Sequence, residues 1–290
     1  MLPRISRVLL GLCLSALILR AETSVWKVTS GPGTLYLGGT CHVLRAVDYP
    51  LPREFDQAFT ASRVLYLETD VGRLADPAIQ QELLSRGLLT DGTTLDQLLT
   101  PAAWQAVERY AARTGLPPAG FANLKPWMLV MMISSLEMQK LDVTEDGVDS
   151  HYYKLAGQAS KPAVGLETVE QQIDYLANLG AGHESEMVLQ SMEELHDLPK
   201  LIPDIIDAWK KGDAARLDQD MLGDLRRKYP SIYTRLIVER NRNWLPVIER
   251  LLTKPETSFV LVGAGHLVGP DGLLEALRKH GARVEQVRAN

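Results

Sequence analysis

Stretches that read as β-strand cluster at the two ends of this chain, and most of what lies between reads as helix. Val25–Val28, Gly33–Gly39 and Arg63–Glu68 carry β-branched and aromatic residues bounded by Gly, Pro and Ser. One short run, Ala163–Leu166, stands alone at mid-chain, and Ser258–Val262 and Arg283–Val287 close the sequence. Strands this short are stable only when paired in a larger sheet, so the two ends of the chain have to meet. Pro52–Ala61 puts Phe55, Ala58 and Phe59 on one side of a short amphipathic helix, which gives strand–helix–strand order. The expected fold is α/β, with a central mixed sheet formed by N- and C-terminal strands and a large helical insertion.

A single domain is expected over 22–290, with the insertion at about 72–160 and 169–254. Helical spacing is clear in Asp76–Leu84, Thr94–Leu99, Pro101–Arg113, Met128–Met138 and Val148–Ala159. From Val169 to Lys254 the pattern stays helical, with breaks expected near Gly180–Gly182, Leu198–Pro203, Gly212 and Pro230. A loop through His266, Gly269 and Gly272 should follow the last apolar strand, and Leu273–His280 should be helical.

Arg4 and Arg7 precede an apolar run from Val8 to Leu19, with Ala21 just beyond. That run is short of the roughly 20 apolar residues of a membrane span, and it has the flanks of a secretory signal over 1–21. The expected destination is the periplasm or the extracellular space. An uncleaved membrane anchor is the alternative, and it would be the chain's only membrane contact. The formal charge of −5 becomes about −8 without the segment, because Arg4, Arg7 and Arg20 leave and no acid does. An acidic body without a Lys/Arg run argues against a nucleic-acid partner. Cys41 would be the one remaining cysteine, read either as a thiolate near a site or as a small buried hydrophobe.

Four of the strand-like runs end on a group with chemistry. Two lead into Gly39-Thr40-Cys41-His42 and Gly263-Ala264-Gly265-His266, and two lead into Glu68-Thr69 and Glu167-Thr168. Ligands in open α/β sheets bind beyond strand carboxyl ends, so His42, Glu68, Glu167 and His266 are candidates for one site. Two imidazoles and two carboxylates can hold a divalent metal or perform acid–base chemistry. Each also has a structural reading, a hydrogen-bonded strand-end His or, for Glu167, an acid at a helix N-terminus. Asp70 and Glu170 add acids close by. The polar run Glu239–Trp244 offers an Arg that could bind a carboxylate or an oxyanion, and Lys125 is a further candidate cation. The chain has no His-Glu-x-x-His, Walker loop, Gly-x-Ser-x-Gly or Cys-x-x-Cys, which removes support for the common zinc protease, nucleotide and serine-hydrolase readings.

Leu35–His42, Leu65–Asp70, Lys125-Pro126-Trp127, Gly147-Val148-Asp149, Gly165–Thr168, Arg240-Asn241 and Val262–Gly272 together resemble the TraB/GumN family in order and spacing. The family is related to the TIKI proteins, which look like metal-dependent proteases with two Gly-x-x-His motifs and a Glu at the active site. By that resemblance His42, Glu68 and His266 are the matching positions, and the fold should be similar to erythromycin esterase and ChaN. The reading this supports is an exported metal-dependent hydrolase, most simply a peptidase, acting on a peptide or small-molecule substrate. His42 and His266 would hold the ion, Mn²⁺ or Zn²⁺ by ligand type, with Glu68 or Glu167 as further ligand or general base. Arg240 would position substrate or stabilise an oxyanion. Two alternatives stay open: a metal-independent, esterase-like hydrolase with a His general base, and a non-catalytic protein that binds haem, metal or peptide.

Overall fold

The computed structural model describes residues 22–144 and 146–288; the signal segment read over 1–21 lies outside them. The described strands are β1 (Glu22–Ser30), β2 (Gly33–Thr40), β3 (Leu44–Arg45), β4 (Val64–Leu67), β5 (Val143–Thr144), β6 (Ala163–Gly165), β7 (Ser258–Gly263) and β8 (Arg283–Arg288). Six of them form one sheet in the order β6-β4-β7-β2-β1-β8, while β3 pairs with β5 in a separate two-stranded ribbon. β1 is antiparallel to both its neighbours, whereas β2, β7, β4 and β6 are parallel. The protein is mixed α/β around a central mixed sheet built from both ends of the chain, as expected. Among the described residues, no helix is long and apolar enough to cross a membrane.

β7 is the key strand. It comes last of the four parallel strands in the chain, yet it sits between β4 and β2, in register from Leu35↔Ser258 to Thr40↔Gly263 on one side. Every one of its residues is buried, which is why Phe259-Val260-Leu261-Val262 is an unbroken apolar run rather than an alternating one. The parallel quartet aligns four carboxyl ends along one edge of the sheet.

Helices cover both faces. On one face Phe55, Tyr152, Trp209 and Phe259 form an aromatic cluster, with Phe55 to Trp209 centroids 5.6 Å apart and Tyr152 to Phe259 centroids 5.9 Å apart. A side chain at Gly38 would meet Phe259 and Leu261 on that face, whereas one at Gly33 would strike the Leu252 backbone on the other. The Arg240–Leu252 helix therefore packs opposite the aromatic cluster.

Two expectations need correction. The helix Glu184–Lys211 does not break at Leu198–Pro203 but runs through Pro199 and Pro203. An interior proline costs about 3 kcal/mol. Burial along the helix offsets it, because Val188 and Leu195 sit in a second core with Val107, Leu129 and Ile133, and Ile206, Ala208 and Trp209 sit in the main core. The segment after β7 is likewise not a loop: Ala264–Leu267 is a buried helical turn that carries His266. The other breaks stand. Gly212 ends the long helix in the left-handed region at φ 61°, and a new helix starts at Pro230.

Trp209 locks the long helix to the sheet, its Nε1 donating to the Gly39 carbonyl at 2.6 Å while Ser24 Oγ donates to the Trp209 carbonyl at 2.8 Å. Trp209→Ala should lower unfolding stability by roughly 3–5 kcal/mol in urea titrations. Trp209→Phe, which keeps most of the ring and loses the donor, should cost about 1–3 kcal/mol.

Candidate functional site

Parallel pairing carries the two glutamates to one place. Beyond the last residues of β4 and β6, Leu166 N–H donates to the Leu67 carbonyl at 2.8 Å and Glu167 N–H to the Glu68 carbonyl at 2.9 Å. The acids lie side by side just past the sheet. His42 is delivered two residues after β2, and His266 comes from the turn after β7. Gly147 permits the remaining approach: a Cβ there would fall 2.1 Å from the His42 carbonyl oxygen, so only glycine lets the Val148–Gln158 helix start against His42. That helix presents Asp149 to the imidazole.

Arg240 opens the helix on the sheet's far face, directly after a π-helical stretch at Thr234–Glu239. Residues three and four apart share a helix face, so Trp244 lines up with both Asn241 and Arg240 on the buried side while Arg242 and Asn243 are exposed. Arg240 Nη2 donates to Glu68 Oε2 at 2.5 Å and to Glu167 Oε1 at 2.6 Å. Its Nε donates to Glu167 Oε2 at 3.3 Å, and Nη1 to His266 Nε2 at 3.2 Å. Trp244 Nε1 donates to Glu167 Oε2 at 3.0 Å, with its ring 4.5 Å from the guanidinium carbon.

Those contacts settle the protonation pattern. Arginine only donates, so His266 Nε2 is an acceptor and its proton lies on Nδ1, 2.9 Å from Asn241 Oδ1. Asn241 is oriented by its amide, which donates to the carbonyls of His266 and Asp271. Burial pushes the His266 pKa down to about 3, so the ring is neutral at pH 7. His42 is the opposite case. Partial burial of its ring opposes charge, but Asp149 at 2.8 Å from Nδ1 and Glu68 at 3.5 Å from Nε2 push its pKa up to about 9. Its side chain is 55% exposed.

The carboxylates also differ. Burial would raise the Glu68 pKa, but Arg240, then the charged His42, hold it well below the usual range, helped by the Gly263 N–H donating to Oε1 at 2.7 Å. Burial dominates at Glu167 and raises its pKa despite Arg240. Beside these groups opens a cleft of about 550 Å³ whose walls include His42, Glu68, Thr69, Asp149 and Leu74. Glu167, Arg240 and His266 are buried behind that wall.

The structure thus gathers all five sequence candidates, His42, Glu68, Glu167, Arg240 and His266. Others go elsewhere. Asp70 caps the short turn after it, accepting from Gly72 N–H at 3.1 Å, and Glu170 pairs with Arg73 on the surface at 2.7 Å. Helix capping near Glu167 is done by Thr168 with Gln171, one residue further on. Lys125 precedes the Pro126–Gln139 helix, where its N–H bonds the Gly87 carbonyl. Burial, then Asp149, pushes the Cys41 thiol up to about 12, so it is a thiol and not a thiolate. Sequence reasoning assigned no role to Asp149 or Asn241, the orienting partners of the two histidines.

A divalent ion can be tested against this donor set. Both histidines have their Nδ1 engaged by an outer partner, the pattern of metal-bound imidazoles. Their Nε2 atoms stand 3.5 and 4.0 Å from Glu68 Oε1. Ligands at about 2.1 Å from one ion are separated by no more than about 4.2 Å, so each pair is compatible with shared ligation. A side chain at Gly263 would lie 2.9 Å from His42 Nε2 and 3.2 Å from Glu68 Oε1, so glycine keeps that gap open. Against this, Arg240 already engages His266 Nε2, and among the described residues no three His, Cys, Asp or Glu side chains converge as a formed metal cage. The residues fit the ion in type and spacing, on condition that Arg240 Nη1 yields His266 Nε2.

Comparison with known proteins gives the family. The family model described as TraB/PrgY/gumN matches residues 24–286, and the chain belongs to that family. It is 24% identical over 245 residues to the uncharacterized protein YbaP of Escherichia coli K12, covering 84% of this chain and 87% of that one. A metalloprotease TIKI homolog of Nematostella vectensis is 28% identical, covering 91% of this chain and 67% of its own length. Metalloprotease TIKI1 of Danio rerio is 24% identical, covering 91% of this chain and 63% of its own. No solved structure matches the chain.

The neutral, buried His266 makes stability depend on pH with a definite sign. Its folded pKa of about 3 lies below the ordinary 6.5, so the unfolded state binds the extra proton in between. Stability is complete above pH 6.5 and falls toward pH 3, with a slope of up to about 1.4 kcal/mol per pH unit from this group. His266→Asn should flatten that slope in denaturant titrations repeated across pH. Arg240→Leu, which strands two buried carboxylates, should cost roughly 3–5 kcal/mol at pH 7, measured in the same way.

Proposed function

We propose that this member of the TraB/PrgY/gumN family is an exported, metal-dependent peptidase whose ion is held by His42, Glu68 and His266. The observation that carries the reading is the pairing of the imidazoles. Each has its outer nitrogen engaged, by Asp149 or Asn241, and each turns Nε2 toward the same oxygen of Glu68. The TIKI relatives, named as metalloproteases, support the same chemistry.

When bound, the ion would activate water and polarise a scissile carbonyl, and either Mn²⁺ or Zn²⁺ suits the ligands. The chain's own residues prepare for this. Asp149 holds the His42 ring with Nε2 facing inward, and Asn241 holds His266 as the Nδ1–H tautomer. Arg240 keeps Glu68 ionised and fixes its rotamer, while Glu167 and Trp244 hold the guanidinium in place. Arg240 and Glu167 lie behind the cleft wall, so their role is positioning. Glu68 and His42 line the cleft and meet the substrate. His42, charged at pH 7 without the ion, has to give up its proton to become a ligand.

One observation favours a second reading, a metal-independent hydrolase. Arg240 already fills the His266 lone pair, leaving the His42–Asp149 pair at the cleft to donate and accept protons.

Isothermal titration with MnCl₂ and ZnCl₂ should show one ion per chain, absent in His42→Ala and His266→Ala. Asp149→Asn should weaken it by roughly 10–100-fold. Because the ion displaces the His42 proton, affinity should rise with pH up to about 9 and protons should be released on binding. Peptide hydrolysis should stop with chelator and return with metal. Chelator-resistant hydrolysis would select the second reading, and the absence of both ion binding and His42-dependent hydrolysis would refute both.

A further inference from the structure

Thr69 is left over by the site as described. It follows Glu68 directly, is 3% exposed and lines the cleft, yet its Oγ1 has no hydrogen-bond partner among the described residues. A buried hydroxyl without a partner is destabilising, and in a native structure it calls for one to be supplied. Its neighbours do not supply it. Glu68 Oε1 is taken by the Gly263 N–H and Oε2 by Arg240.

The rest of the cleft says what could. Leu67, Val71, Leu74 and Ala75 make one apolar wall, with Leu74 38% exposed although nothing in its type calls for water. Gln80 and Gln172 add neutral amides, and among the described residues neither Lys nor Arg contributes to the lining. The acids that do, Glu68 and Asp149, are already paired with His42, so a charged side chain on the apolar wall would lose hydration without gaining a free partner. The volume, about 550 Å³, is that of a small-ligand or side-chain pocket.

We infer that this cleft is a specificity subsite for an uncharged aliphatic side chain of a peptide. The side chain would pack on Val71, Leu74 and Ala75, and a χ1 rotation of Thr69 would turn its Oγ1, closed to solvent here, toward the adjoining peptide group. The inference rests on the peptidase reading and narrows its substrate class. The hydroxyl can donate to a peptide carbonyl or accept from a peptide N–H, and the leucine wall gains by covering apolar surface. A purely structural Thr69 predicts a different kinetic outcome on substitution. Replacing an unpartnered buried hydroxyl by a methyl group would then stabilise the fold and leave kinetics alone.

The test uses the MnCl₂-supplemented protein and capped pentapeptides identical except for a central leucine, aspartate or lysine. The leucine peptide should be cleaved about tenfold or more faster in kcat/KM than the others. Thr69→Val should lose about tenfold for that peptide, mainly through KM, with a thermal midpoint no lower than the parent's. Thr69→Ser should recover most of the loss, and Leu74→Asp should erase the preference for leucine. Equal cleavage of the three peptides, or unchanged kinetics in Thr69→Val, overturns the subsite and leaves the peptidase reading standing. Should no peptide be cleaved, the peptidase reading fails, and calorimetric binding of the same peptides decides the subsite. A leucine preference that Thr69→Val removes supports it, and no preference overturns it.

Discussion

A buried guanidinium holds this site together. Arg240 reaches from a helix on one face of the sheet to two carboxylates and an imidazole at the ends of three strands. Each of those carboxylates alone would be expensive to bury, and so would the arginine. Together they leave two negative charges against one positive charge at the core of the cluster. His42, charged, faces Glu68 from the cleft side but also pairs with Asp149, so three carboxylates face two cations. The His42 proton is therefore part of the ion-pair network, held between Glu68 and Asp149.

The two Gly-x-x-His motifs look alike in sequence and behave in opposite ways. His266 is enclosed by Trp244, Arg240 and Asn241, stays neutral and keeps one tautomer. His42 stands at the cleft with an acid on each side and is charged. The difference arises from what packs against each ring, a helix bearing Arg240 and Asn241 in one case and a helix bearing Asp149 in the other. This asymmetry leaves one enclosed, neutral imidazole and one charged imidazole at the cleft, although both follow the same local motif.

Much of this was legible in the chain. The α/β class follows from where β-type residues cluster, and a fully buried β7 follows from its unbroken apolar run. The four strand-end groups were legible because parallel strands share a carboxyl edge, and Arg240 because it stands in a dense polar run. What was not legible has physical causes. Pro199 and Pro203 read as a break because local propensity opposes helix there, and only burial of both helix ends in separate cores overrides it. His266 read as a loop residue because a four-residue turn leaves no periodic pattern. Asp70 and Glu170 sit as close in sequence to the strand ends as Glu68 and Glu167, yet one caps a turn and the other pairs at the surface.

By itself the sequence determined the secondary structure of both ends, the sheet that must join them, and the chemical types placed at strand carboxyl ends. Strand periodicity and residue type are local properties, and they survive in the one-dimensional record. Tertiary structure alone decided that β7 enters between β4 and β2, that Arg240 faces Glu68 and Glu167, and that Asp149 and Asn241 each orient one histidine. Those are contacts between residues far apart in the chain. Their burial and electrostatics make the two like motifs differ, and no local pattern encodes them.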